Sequence, residues 1–161
     1  GLRGVELLER LLERFQIVGI FDAEDVPTVA LEAQGDVLGE RQIGLAFKQQ
    51  GVVVGAVRSS QWCRTRETAE LAFAPLPVTG DPAFNSFFAA RLSEPAQTAA
   101  ARNALRQWSG PGALVVVTHQ VNITALTGQG IASGDGYVVQ VSRQGDVTVL
   151  ARLPLDGPHK P

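Results

Sequence analysis

Residues Ala113–Gly128, ALVVVTHQVNITALTG, pass from an unbroken apolar run to polar side chains within six positions. The run Ala113–Val117 is short for a helix, rich in β-branched valine and preceded by Gly110-Pro111-Gly112, which predicts a strand buried on both faces. Thr118, His119 and Gln120 follow. Asn122 is placed to cap a short helix through Ile123, Ala125 and Leu126 that Gly128 stops. His119 then stands where a buried strand gives way to a helix. In open α/β sheets the carboxyl edge of the strands is where ligands bind. A histidine that only satisfies a hydrogen bond at a strand end is the structural alternative.

The flanking segments repeat the alternation. Upstream, Pro95–Trp108 is an alanine-rich helix with one stripe through Ala101, Ala104, Leu105 and Trp108. Val52–Val57 is a second buried strand. It runs into Arg58-Ser59-Ser60-Gln61-Trp62-Cys63-Arg64-Thr65-Arg66, which becomes a helix through Leu71 and Phe73. Ser59 and Ser60 can cap that helix. The free N–H groups of its first turn form an anion site, and an arginine adds a planar fork of donors suited to phosphate oxygens. Arg66 with Glu70 reads as a helix-surface pair. Asp36–Gln50 has helical spacing and ends at Gly51, Gln16–Phe21 is a first buried strand, and Leu2–Phe15 is an amphipathic helix. Downstream, Gly136–Ser142 and Asp146–Leu153 form a hairpin across Arg143-Gln144-Gly145, and 154–161 is a frayed tail. This order predicts an α/β fold: three layers, a mainly parallel central sheet and helices on both faces, in one domain over 1–161.

Composition narrows the function classes. The chain has 161 residues, enough for a single core without staples. Its one cysteine, Cys63, rules out an intrachain disulfide and a cysteine-cluster metal site. A net charge of −2 with interspersed signs calls for neither nucleic acid nor an anionic membrane as partner. No apolar run approaches a membrane span. A cytoplasmic setting is expected, with an export leader trimmed ahead of Gly1 as the alternative.

The first strand ends at acid: Asp22, Glu24 and Asp25, then Pro27. Carboxylates past a strand suggest an aspartyl nucleophile with Mg²⁺, but such sites use Asp-x-Asp, and Asp22 and Asp25 are three apart. No later Asp pair completes that site, so no metal or other cofactor is expected.

The segment Ser59-Ser60-Gln61-Trp62-Cys63-Arg64-Thr65-Arg66-Glu67-Thr68-Ala69 resembles the Ser-Ser-x-x-x-Arg-x-x-x-Thr-Ala segment of the histidine phosphatase superfamily, the phosphoglycerate-mutase-like fold. Val115-Val116-Val117-Thr118-His119, followed by Ile123 and Leu126-Thr127-Gly128, resembles its second histidine segment. The likeness spans roughly 16–153. It implies a phosphate held by two histidines and two arginines, one histidine becoming phosphorylated while the other stabilises the transferring group. Arg64 matches a phosphate-clamping arginine and His119 the second histidine, with Ser59 at the phosphate edge.

The sequence departs from that pattern at the first strand. Where the family carries Arg-His-Gly or Arg-His-Ala, this chain has Phe21 in the arginine's place and Asp22 in the nucleophile's. Its other histidine, His159, lies in the tail. The family's later acid/base carboxylate is also missing, since Asp81-Pro82-Ala83-Phe84-Asn85-Ser86 offers amide and hydroxyl at the nearest positions. Phe84, Phe87 and Phe88 are expected to fill core or close over the pocket edge. Two readings remain: a protein that binds phosphate or a phosphorylated small molecule with impaired catalysis, and an active phosphomonoesterase or phosphotransferase with an atypical nucleophile, Asp22.

Overall fold

The computed structural model describes residues 17–22, 53–131 and 136–153. The expected helices at 2–15 and 36–50 and the tail at 154–161 lie outside the described residues. Strands β1 (Ile17–Asp22), β2 (Val54–Ser59), β3 (Val78–Gly80), β4 (Ala113–Thr118), β5 (Gly136–Val141) and β6 (Val147–Leu153) form one sheet. Its order is β3-β2-β4-β1-β5-β6. β3, β2, β4 and β1 run parallel, while β5 and β6 are antiparallel to their neighbours. The expected mainly parallel α/β sheet and its closing hairpin are therefore present. β2 ends two residues later than its hydrophobic run, because Arg58 and Ser59 still pair with Val116 and Val117.

All six residues of β4 are buried, which explains why this strand reads as a continuous apolar run. Leu114 and Val116 face one core with Ala101 and Leu105 of helix α2 (Glu94–Arg106), and with Ile123 and Leu126 of helix α3 (Gln120–Thr127). Tyr137 and Val139 of β5 complete it. Helix α1 (Cys63–Phe73) buries Thr68, Ala69, Ala72 and Phe73 and packs on β2, β3 and β4. None of these α1 residues belongs to the Leu114–Val116 core, so helices cover both faces. Phe84 and Phe87 are core residues, whereas Phe88 is exposed.

Two helix starts differ from expectation. α3 begins at Gln120 with His119 as its cap residue, one turn earlier than an Asn122 cap would allow. Asn122 lies inside the helix, and its amide donates to the Phe84–Ser86 segment at Asn85 O (2.8 Å) instead. α1 has no side-chain cap, because Ser60 Oγ accepts from the N–H of Trp62, ahead of the first turn. Gly128 does end α3, in a left-handed conformation with φ 73°.

Gly55 sets how closely the turn before β4 can approach β2. The register between β2 and β4 shifts between Val54 and Ala56, a bulge that leaves Gly55 as the extra residue. A Cβ on Gly55 would lie 1.9 Å from Pro111 O and 2.9 Å from the Trp108 ring. That ring is itself fixed by its Nε1–H donating to Gly112 O (3.2 Å). The obstacle is backbone and cannot rotate away. Gly55→Ala is expected to destabilise the protein by about 2 kcal/mol, the range of forced overpacking, measured by urea unfolding. Wild-type stability in that variant would show that the 110–112 turn yields.

Candidate functional site

The parallel register brings the carboxyl ends of three strands side by side. Asp22, the last residue of β1, pairs with Thr118, immediately before His119. Ser59, the last residue of β2, pairs with Val117. Arg64 is the second residue of α1, five positions past Ser59, and its side chain is exposed. Asp22, Ser59 and His119 thus stand at the carboxyl ends of neighbouring strands, and Arg64 lies on the first turn of the helix that follows β2. Thr118 extends this edge sideways, its hydroxyl donating to Phe84 O (2.6 Å).

His119 is 1% exposed, and its ring is held from two sides. Nε2 lies 2.9 Å from Ser60 Oγ, and the Trp62 indole meets the imidazole edge-on, with centroids 4.8 Å apart and planes at 63°. Ser60 is the hub. Its Oγ accepts from Trp62 N–H (3.1 Å) and lies 2.9 Å from the Thr65 hydroxyl, which is itself 2.8 Å from Trp62 O. Thr65 is the donor of its contact with Ser60 Oγ, and the direction of the Ser60–His119 bond follows the tautomer of the imidazole. Nδ1 is buried and has no hydrogen-bond partner among the described residues, and neither has Asn122 Oδ1 on the first turn of α3. Burial pushes the His119 pKa down from 6.5 to about 4, so the imidazole is neutral at pH 7.

Ser59 does not touch this ring. Its hydroxyl donates to Ser60 O (2.8 Å). The second serine of the doublet holds His119, a contact across 59 positions of sequence that only the β2–β4 pairing creates. Asp81 is likewise engaged elsewhere. It accepts from Ala83 N–H and lies 3.9 Å from Arg58. Arg66 and Glu70 form the expected exposed pair on α1, also 3.9 Å apart. Its contribution to stability is small. No group of three or more metal-ligating side chains occurs among the described residues, and no helix there is long and apolar enough to cross a membrane.

Comparison with solved structures fixes the fold class. The protein histidine phosphatase SixA complexed with tungstate superposes with a TM-score of 0.58 at 15% identity, over 86% of this chain and 97% of that one. Phosphoglycerate mutase from Plasmodium falciparum gives 0.59 at 12% identity, over 90% and 93%. A phosphoserine phosphatase mutant from Entamoeba histolytica in complex with phosphoserine gives 0.58 at 9% identity, over 86% and 97%. No family model matches the sequence, and no curated protein matches it. At these identities the likeness establishes a phosphoglycerate-mutase-like α/β fold. Chemistry has to be argued from the site's own residues.

Proposed function

We propose that the carboxyl edge of this sheet is a phosphate-binding pocket for a phosphorylated small molecule or phosphate itself. In this reading Arg64, His119 and Ser59 lie at the phosphate, and Asp22 occupies the place of the attacking group. The observation that supports it most is the register: Asp22 stands opposite Thr118, beside His119, at the strand end where the resembled family carries its attacking histidine. Structural relatives bound to tungstate and to phosphoserine point to the same ligand chemistry.

Each residue has a definable part. Arg64 supplies a planar fork for two phosphate oxygens. His119, neutral at pH 7, brings an unpartnered Nδ1 that can bond a phosphate oxygen or its P–OH, according to its tautomer. Ser60 and Trp62 position that ring. Asp22 would have to approach a phosphoryl group of its own sign, and aspartyl phosphate chemistry ordinarily recruits Mg²⁺ to offset that repulsion. Little or no turnover is the consequence.

The test is phosphate release from a generic aryl phosphate, with and without Mg²⁺. Rates at background and no phosphohistidine are expected. Clear turnover that disappears in Arg64→Ala would instead favour the second reading, an active phosphomonoesterase with an atypical nucleophile, and its further loss in Asp22→Asn would assign that role to Asp22. The neutral, buried His119 beside that strand end is the observation in its favour.

A further inference from the structure

Trp62 is 46% exposed, unusual for a residue whose size normally carries it into the interior. It is nonetheless held at both ends of its peptide unit. Its N–H donates to Ser60 Oγ (3.1 Å), and its carbonyl accepts from Arg66 N (3.1 Å) and from the Thr65 hydroxyl (2.8 Å). The preceding residue is clasped as well: Gln61 N–H donates to Asn85 Oδ1 (2.7 Å), and Asn85 Nδ2 returns a bond to Gln61 Oε1 (3.0 Å). Asn85 O in turn accepts from the amides of Gln97 and Asn122. Three residues past this clasp comes Phe88, 63% exposed, with the Arg91 guanidinium 5.2 Å above its ring. Two exposed aromatic rings therefore leave from one rigid junction, and the indole is in edge contact with His119.

We propose that Trp62, supported by Phe88, is the specificity-determining residue of the pocket and selects phosphate monoesters whose organic group is a planar aromatic ring. This inference rests on the phosphate-pocket reading. A phosphate beside His119 puts its ester substituent one P–O–C link away, and the indole lies one ring width from the imidazole. An aromatic group can cover the exposed indole face, while a polyol cannot repay the loss of its own hydration there. Little ordering is needed on binding, because the Ser60 and Asn85 bonds fix the backbone at Trp62 and Gln61, the indole edge rests on His119 and the Arg91 guanidinium lies over the Phe88 ring.

Calorimetric titration with phenyl phosphate, glycerol phosphate and inorganic phosphate tests this in the wild type and in Asp22→Asn, which the pocket reading expects to bind anions better. Phenyl phosphate is expected to bind roughly threefold to tenfold more tightly than glycerol phosphate, the range of an aromatic pair. Trp62→Ala should abolish that preference, lowering phenyl phosphate affinity roughly threefold to tenfold more than it lowers inorganic phosphate affinity. Trp62→Leu, which keeps an apolar cover on His119, should do the same and guards against a misfolded alanine variant. Equal affinity for the two esters, or a preference that survives in both Trp62 variants, overturns the inference while the pocket stands. Absence of phosphate binding in every protein overturns the pocket reading and this inference together. An indole that mediates self-association, seen by sedimentation without any aryl preference, overturns the inference alone.

Discussion

Asp22→Asn is expected to strengthen phosphate or vanadate binding at pH 7.5 by about tenfold for each 1.4 kcal/mol of repulsion it relieves. The physical basis is the charge count at the strand edge. Relative to the pattern this chain resembles, Phe21 removes a positive group and Asp22 introduces a negative one. A carboxylate about 4 Å from a phosphate charge costs about 1 kcal/mol in water and about 4 kcal/mol at an effective dielectric of 20. Arg64 has an exposed side chain, where solvent weakens its compensation. Wild-type protein should therefore bind phosphate better at pH 5 than at pH 7.5, as Asp22 takes up a proton that the anion helps to hold. The double change Phe21→Arg with Asp22→His should bind more tightly still and should accumulate a phosphorylated enzyme, detectable by mass spectrometry. Calorimetry of the wild type and both variants at the two pH values decides the matter. Unchanged affinity in Asp22→Asn at both would remove Asp22 from the pocket and take the site assignment with it.

That prediction uses a juxtaposition the sequence carries only in part. The strands were legible because burial on both faces forces continuous valine-rich runs, as in β4, and because Gly128 has to supply a positive φ at the end of α3. β3 was not legible. Its three residues, Val78–Gly80, carry no period and exist because they pair with Val57, Arg58 and Ser59 of β2. The site shows the same division. Ser59, His119 and Asp22 stand at strand ends that local pattern reveals, whereas their proposed roles and that of Arg64 come from the resemblance to the histidine phosphatase segments. The groups that hold the His119 ring are not legible in either way. Ser60 looks interchangeable with Ser59 until the sheet is assembled, when Ser60 N–H bonds Val117 O (3.0 Å) and the side chain comes beneath the imidazole. Asn122 misleads for a related reason. An asparagine near a helix start ordinarily caps it, but tertiary contact gives this amide a better partner in Asn85 O.

The protein is expected to lose stability as the pH falls from 6.5 toward 4, and His119 is the cause. Folding holds this imidazole neutral, with its pKa lowered from 6.5 to about 4 by burial, whereas the unfolded chain protonates it at the ordinary value. Above pH 6.5 neither state carries the proton and the contribution is constant. Between the two values the unfolded state binds more protons, so stability declines by about 1.4 kcal/mol per pH unit. Below about pH 4 both states are protonated and the loss stops, after a total on the order of 3 kcal/mol. The geometry explains the direction: Nε2 faces a serine hydroxyl, the indole edge covers the ring, and Nδ1 meets no acceptor among the described residues that could share an imidazolium proton. Urea unfolding at pH 7, 5.5 and 4.5 measures the slope, and His119→Gln isolates it, because it removes this imidazole and leaves every other ionisable group in place. His119→Gln should show a shallower decline across this window, by about 1.4 kcal/mol per unit at most. Parallel curves would mean that the folded protein keeps the His119 proton near pH 6.5.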